Sequence, residues 1–170
     1  MGEVKIRPTI PADLDALADV LVRVHATDGY PVEGVDDPRS WVDLPEAVGQ
    51  WTALLEGRPV GHAALMRPAR EDRAAELLVE RDRTAPAGIA VLARLFVAPK
   101  VRGSGVAQRL VEVVHGAASS NGQRLVLEVM GKDAAAIRLY KRNGWQSLGV
   151  FHHQTPAGDV HEAGAFVAPN

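Results

Sequence analysis

Apolar residues in the first thirty positions change their spacing once. VKIRPTI (4–10) is a short extended run, and Pro11 follows where a first helical turn tolerates proline. Leu14, Leu17, Ala18, Leu21 and Val24 then recur three and four apart, the stripe of an amphipathic helix. HATDGYPVEGVDDPRS (25–40) is rich in turn formers and nearly free of periodic apolar residues, which predicts a loop, with a short helix around 45–50. QWTALLEGRPVGHAALMRP (50–68) holds two apolar runs joined at Glu56–Pro59, the pattern of a hairpin. AREDRAAELLVERDR (69–83) mixes charge with a few leucines and predicts an exposed helix whose charges form a solvated face.

IAVLARLFV (89–97) is almost continuously apolar, as expected of a strand buried on both faces. Val106, Leu110, Val113, Val114 and Ala117 mark a second amphipathic helix, and RLVLEV (124–129) reads as a strand. Asp133 is placed to cap a helix through Ala136, Ile137 and Tyr140, which Asn143–Gly144 would stop. WQSLGVF (145–151) and HEAGAFVA (161–168) finish as strands around a turn at Pro156–Asp159. The order β-α-loop-β-β-α-β-α-β-α-β-β argues one α/β domain, residues 1–170, on a mixed sheet.

Composition narrows the chemistry. The length of 170 residues suits a single domain with a sizeable core. A net charge of −2 supplies no global basic field, so a nucleic-acid partner is not expected. The absence of cysteine excludes disulfides, thiolate metal sites and a cysteine nucleophile, and no metal is expected. Apolar runs fall far short of the roughly 20 residues of a membrane span, and MGEVKIRP lacks an apolar signal region. The expectation is a cytoplasmic protein without a membrane partner.

LFVAPKVRGSGVAQRL (95–110) concentrates the candidate chemistry. A strand, a glycine turn and a helix in that order aim free N–H groups and the positive helix end at one point, which makes an anion site. Lys100 and Arg102 add charge beside it. The Walker pattern G-x-x-x-x-G-K-[ST] is absent. A dinucleotide fingerprint on Gly103-Ser104-Gly105 lacks its third glycine, since Gln108 stands there, and it lies mid-chain rather than in a first βαβ unit. Standing alone, the loop would also fit a ligand-free connection.

Two segments together carry a resemblance. Arg102-Gly103-Ser104-Gly105-Val106-Ala107 fits the pattern [QR]-x-x-G-x-[GA], and DAAAIRLYKRNGW (133–145) is similar to N-x-x-A-x-x-L-Y-x-x-x-G-[FW]. With the order of elements from residue 4 to about 168, the chain resembles the GNAT (GCN5-related) N-acetyltransferase superfamily. The resemblance implies an α/β GNAT fold: a mixed central sheet of about seven strands, flanking helices, and fourth and fifth strands that splay apart. It implies acetyl-CoA as co-substrate, with the pyrophosphate on backbone N–H groups of Gly103 to Ala107 and Arg102 nearby. The pantetheine amides would pair with Leu95-Phe96-Val97, as a peptide adds to a sheet edge. Asp133 and Ala136 would lie along the cofactor. Aspartate at 133 replaces the family's usual asparagine and cannot donate an amide N–H.

By the same resemblance, Tyr140 occupies the general-acid position. Its ordinary pKa, about 10, keeps it protonated at neutral pH. Its spacing with Ala136 and Ile137 suits a core aromatic equally well. IAVLARLFV carries no acidic residue, so a base on that strand is absent. Glu128 alternates with Leu127 and Val129 on the next strand, and its spacing to Tyr140 is similar to the branch that acetylates a ribosomal protein's N-terminus. A solvent-facing or salt-bridged glutamate fits as well. Asp28, Glu33, His25, or a water relayed through His62 are other candidates for the base. Asp28, Tyr30 and Glu33, with Asp36 and Asp37, make the 25–40 segment acidic, which suits a cationic acceptor but also an ordinary polar loop. The acceptor would be a small-molecule amine or a protein N-terminus, and the family offers a homodimer. The other reading is a non-catalytic acyl-CoA-binding sensor or partner module on the same fold.

Overall fold

The computed structural model describes residues 2–170. Its strands are β1 (Val4–Pro8), β2 (Gly49–Leu55), β3 (Arg58–Met66), β4 (Ile89–Val97), β5 (Arg124–Met130), β6 (Gln146–Gln154) and β7 (Val160–Val167). The helices are α1 (Leu14–Asp28), α2 (Pro38–Val42), α3 (Arg73–Asp82), α4 (Val106–Ser120) and α5 (Ala134–Arg142). The strands are ordered β1-β2-β3-β4-β5-β7-β6 in a seven-stranded sheet, whose one parallel pair among the described registers is β4–β5. The chain gathers into two compact units, Met1–Met66 with Ala93–Val114 and Arg67–Leu92 with His115–Asn170.

In the first unit, β1 runs antiparallel to β2 from Val4 opposite Leu55 to Pro8 opposite Trp51. The β2–β3 hairpin turns at Glu56–Gly57, one step after a register shift at Ala53/Leu54. Helix α1 buries the stripe Leu14, Leu17, Ala18, Leu21 and Val24 that its spacing predicts, and adds Val20. It ends where Gly29, at φ 68°, donates its N–H to the carbonyl of His25. The 25–40 segment therefore begins later than expected, because helical bonding runs on to Asp28. The short helix also moves, from the expected 45–50 to 38–42. Pro38 presets its first turn, and Asp37 accepts from the backbone N–H of Ser40 at 3.1 Å.

Asp13 holds this unit's entry together. Its carboxylate accepts from Arg7 Nη1 at 2.7 Å and Nη2 at 2.9 Å, from the Ile10 N–H at 3.0 Å and from Thr52 Oγ1 at 3.0 Å. A carboxylate only 4% exposed survives burial because each of these donors replaces water, and the Arg7 guanidinium lowers its pKa first among them.

In the second unit, β4 and β5 pair in parallel from Ile89 opposite Arg124 to Val91 opposite Val126. No β4–β5 pair continues past Val91 among the described residues, although β4 runs on to Val97. β7 lies antiparallel between β5 and β6. Leu78 of α3, Ile89, Leu125, Leu127, Trp145, Phe166 and Val167 fill the core. Helix α5 stops at Asn143 and Gly144, the latter at φ 82°, as the sequence predicts.

Candidate active site

The loop after β4 begins with a single 3-10 turn, Pro99–Val101, and reaches α4 through Arg102-Gly103-Ser104-Gly105. Gly103 and Gly105 hold φ at 77° and 81°, and a β-carbon at either would meet no atom within 4 Å. The glycines are there for the left-handed backbone, and they leave the loop's face bare. Ser104 turns its hydroxyl inward, donating to the carbonyl of Val101. The first helical bond of α4 runs from the Arg109 N–H to the Gly105 carbonyl at 3.1 Å. No protein acceptor among the described residues takes the N–H groups of residues 103–108. Six successive donors at the start of a fifteen-residue helix concentrate positive potential where an anion can meet them.

Arg102 itself points to a carboxylate: Nη1 lies 3.0 Å from Asp28 Oδ1, and Nη2 meets Oδ2. Asp28, expected in the acceptor wall, is thus engaged by the residue expected beside the phosphates.

Further back on β4, Arg94 adopts φ 56° inside a strand. Such a conformation costs on the order of 1–3 kcal/mol in a residue with a β-carbon and persists only where neighbours enforce it. His62 on β3 is one of those neighbours, its Nδ1 donating to the Arg94 carbonyl at 2.8 Å. The His62 ring is fully buried, stacked on Phe96 at 5.5 Å, with Nε2 3.1 Å from the Gln50 side-chain amide. Burial lowers its pKa to about 4, outweighing the bond to Arg94, so the ring is neutral at pH 7. The Arg94 guanidinium lies 4.2 Å from the centre of the Trp41 ring, and Tyr30 meets Trp41 edge-on at 5.7 Å. Leu95 is half-buried and Phe96 and Val97 are buried.

In the second unit Glu128 has a partner the sequence did not show. Its Oε1 accepts the N–H groups of Arg73 at 2.8 Å and Ala74 at 3.2 Å, the first turn of α3. Asp72 caps the same helix by accepting from Ala75 N at 3.0 Å. Burial raises the pKa of Glu128, with Asp72 adding to it, while the two N–H bonds act against the rise. Tyr140 is 5% exposed and packs on Trp145 at 5.4 Å and Phe166 at 6.2 Å. Burial, then Asp133, raises its pKa, so the hydroxyl keeps its proton throughout the neutral range. Asp133 does not cap α5 with its side chain as expected; its carboxylate lies 3.3 Å from Lys132 Nζ instead. Ala136 is half-buried on the same helix.

The expected residues thus fall into separate groups: 102–107 with Asp28, Tyr30 with Trp41 and Arg94, and Glu128 with the start of α3. Arg94, Trp41 and the His62 bond escaped sequence reasoning, although one arginine inside IAVLARLFV was a visible signal. No helix among the described residues is long and apolar enough to cross a membrane. No three histidine, aspartate or glutamate side chains among them gather as a metal site.

A family model described as the Acetyltransferase (GNAT) family matches residues 15–145, a span that includes the loop, Glu128 and Tyr140. The chain belongs to that family, whose members are N-acetyltransferases, enzymes of the acyltransferase class. Among solved structures it is similar to the ribosomal-protein-S18-alanine N-acetyltransferase from Escherichia coli, with 19% identity, TM-score 0.71, and coverage of 98% of this chain and 94% of that one. It is similar to Arabidopsis thaliana NAA60 in complex with acetyl-CoA, at 21% identity, TM-score 0.74, and 97% coverage of both chains. It is similar also to the ribosomal-protein-alanine N-acetyltransferase from Brucella melitensis, at 20% identity, TM-score 0.71, and coverage of 98% and 99%. At these identities the likeness is one of fold.

Proposed function

We propose that this protein moves the acetyl group of acetyl-CoA directly to a primary amine, as a single catalytic domain holding both substrates at once. The observation that supports this most is the run of six N–H groups, residues 103–108, without protein acceptors among the described residues. A diphosphate supplies the oxygens such a run suits, and Gly103 and Gly105 let it approach. Leu95-Phe96-Val97, past the end of the β4–β5 ladder, would offer backbone groups to the pantetheine amides. Asp133 and Ala136 remain the proposed neighbours of the cofactor on α5.

In the reaction the neutral amine nitrogen attacks the thioester carbonyl carbon. A C–N bond forms, the C–S bond breaks, and the nitrogen's extra proton leaves while the departing sulfur gains one. Tyr140 is the proposed donor to sulfur, and its raised pKa keeps that proton available. Glu128 is the proposed acceptor of the amine's proton through water, with Oε1 held by α3 and a pKa above the ordinary glutamate value. Asp28, Tyr30 and Glu33 are proposed for the acceptor wall, Asp28 through its pair with Arg102. The acceptor is a small amine or a protein N-terminus, and the cytoplasm is the proposed compartment.

Incubating the protein with acetyl-CoA and a panel of amines, and following CoA release with a thiol reagent, tests this. The chain has no cysteine to obscure the signal. The alternative, an acyl-CoA-binding module without chemistry, draws support from Glu128's engagement by a helix end. It predicts acetyl-CoA binding with no amine acetylated.

A further inference from the structure

Arg7, Arg73, Arg81, Arg102 and Arg124 each have a carboxylate within 4 Å. Arg94 has none. Its five N–H donors make no hydrogen bond among the described residues, and Nη1 is buried without a partner. This is costly at Nη1, because an N–H removed from water loses hydration that nothing replaces. The residue is nevertheless held firmly. Trp41 covers the guanidinium at 4.2 Å, and His62 fixes the carbonyl at 2.8 Å. The backbone takes φ 56° within the strand, the one non-glycine residue of the described strands to do so. Three devices therefore position a charged fork that the protein itself leaves unbonded.

From that geometry we infer that Arg94 is the carboxylate receptor of the acceptor site, and that the acceptor is a small amino acid carrying its primary amine and carboxylate on one molecule. A guanidinium presents paired N–H groups that match a carboxylate's two oxygens, and the Trp41 ring covers it on one side. Glu33 and Glu46 act on Arg94 through their fields. A positive fork with negative charge nearby suits a zwitterion better than a plain anion: the carboxylate meets Arg94 and the ammonium faces the acidic side. A purely cationic amine would meet Arg94 with repulsion. All of these residues belong to the first unit, so the receptor needs no residue from the other. The inference rests on the acetyltransferase reading and gives it a substrate class.

The experiment compares free L-amino acids with their methyl esters and their decarboxylated amines, following CoA release at fixed acetyl-CoA. At least one free amino acid should exceed both of its counterparts in kcat/KM by roughly ten- to a hundredfold, as expected of charge-assisted bonds. Arg94→Gln should bring the three to within about twofold of each other through a raised amino-acid KM, and Arg94→Lys should restore part of the preference. Circular dichroism checks both variants, and the wild-type comparison stands without them. Equal rates for acid, ester and amine would overturn the inference while leaving the acetyltransferase intact. So would peptides with an acidic first residue being acetylated in preference to any free amino acid. If no amine releases CoA, calorimetric titration of the amino acids into protein with CoA decides. Carboxylate-dependent binding that Arg94→Gln abolishes upholds the receptor, and no binding overturns it. Acetyl-CoA titration alone reports whether the underlying reading has failed.

Discussion

Asp28, the last residue of α1, grips Arg102 at two points, Oδ1 to Nη1 at 3.0 Å and Oδ2 to Nη2. One end of the acidic 25–40 segment is thereby joined to the loop proposed to take a diphosphate. The pair is partly exposed, so it contributes little to stability. Its effect lies in withholding a guanidinium from competing anions.

Asp28→Asn removes that competition and one negative charge. Acetyl-CoA should bind about two- to fivefold more tightly at low salt, and the difference should shrink as salt screens the loop. Calorimetry at two ionic strengths measures it. A weaker complex would mean that the pair positions Arg102 rather than occupies it.

Tyr140→Phe keeps the ring against Trp145 and Phe166, so the fold and acetyl-CoA affinity should persist. The chemical step should slow by roughly two to four orders of magnitude, the usual share of acid catalysis. Unchanged single-turnover rates would leave Tyr140 a core aromatic.

Glu128 is read through two substitutions. Glu128→Gln retains an oxygen for the Arg73 and Ala74 N–H groups and removes a charge that burial disfavours, so unfolding free energy should change by about 1 kcal/mol or less. Glu128→Ala orphans two part-buried donors and should cost about 1–2 kcal/mol. If the carboxylate also moves the amine's proton, Glu128→Gln shifts the rise of rate with pH toward the free amine's pKa. An unaltered profile confines Glu128 to capping.

Much of this was legible in residue spacing, and the exceptions have physical causes. The α1 stripe and the glycine loop are local patterns, in which spacing alone decides the face or the turn. The partner of Glu128 lies 55 residues away in sequence, and no local rule pairs a strand carboxylate with a distant helix end. Asp133 looked like a cap because its position is right, but Lys132 beside it competes for the carboxylate. α2 was displaced because Asp37-Pro38, a strong start signal, lay inside a stretch dominated by turn formers. Arg94 went unread because a single charge in an apolar run changes neither the period nor the strand assignment.

Acid stability should report His62. Its folded pKa, about 4, lies below the ordinary 6.5, so the unfolded chain binds the proton more strongly. The ring's contribution is complete above pH 6.5 and is lost as pH falls toward 4, a loss of about 3 kcal/mol over that interval. Urea unfolding midpoints from pH 7 to 4.5 should decline in the wild type and decline less in His62→Gln. Parallel curves would place the acid sensitivity elsewhere.

The central claim is that the loop at the start of α4 anchors acetyl-CoA through its backbone. Gly105 holds φ 81° with open space around it, and a glutamate there would strain the turn and set an anion among the free N–H groups. The direct measurement is calorimetric titration of acetyl-CoA into wild type and Gly105→Glu, with circular dichroism of both. The account predicts wild-type binding and at least a hundredfold loss of affinity in a variant that remains folded; equal affinity in that folded variant would contradict it.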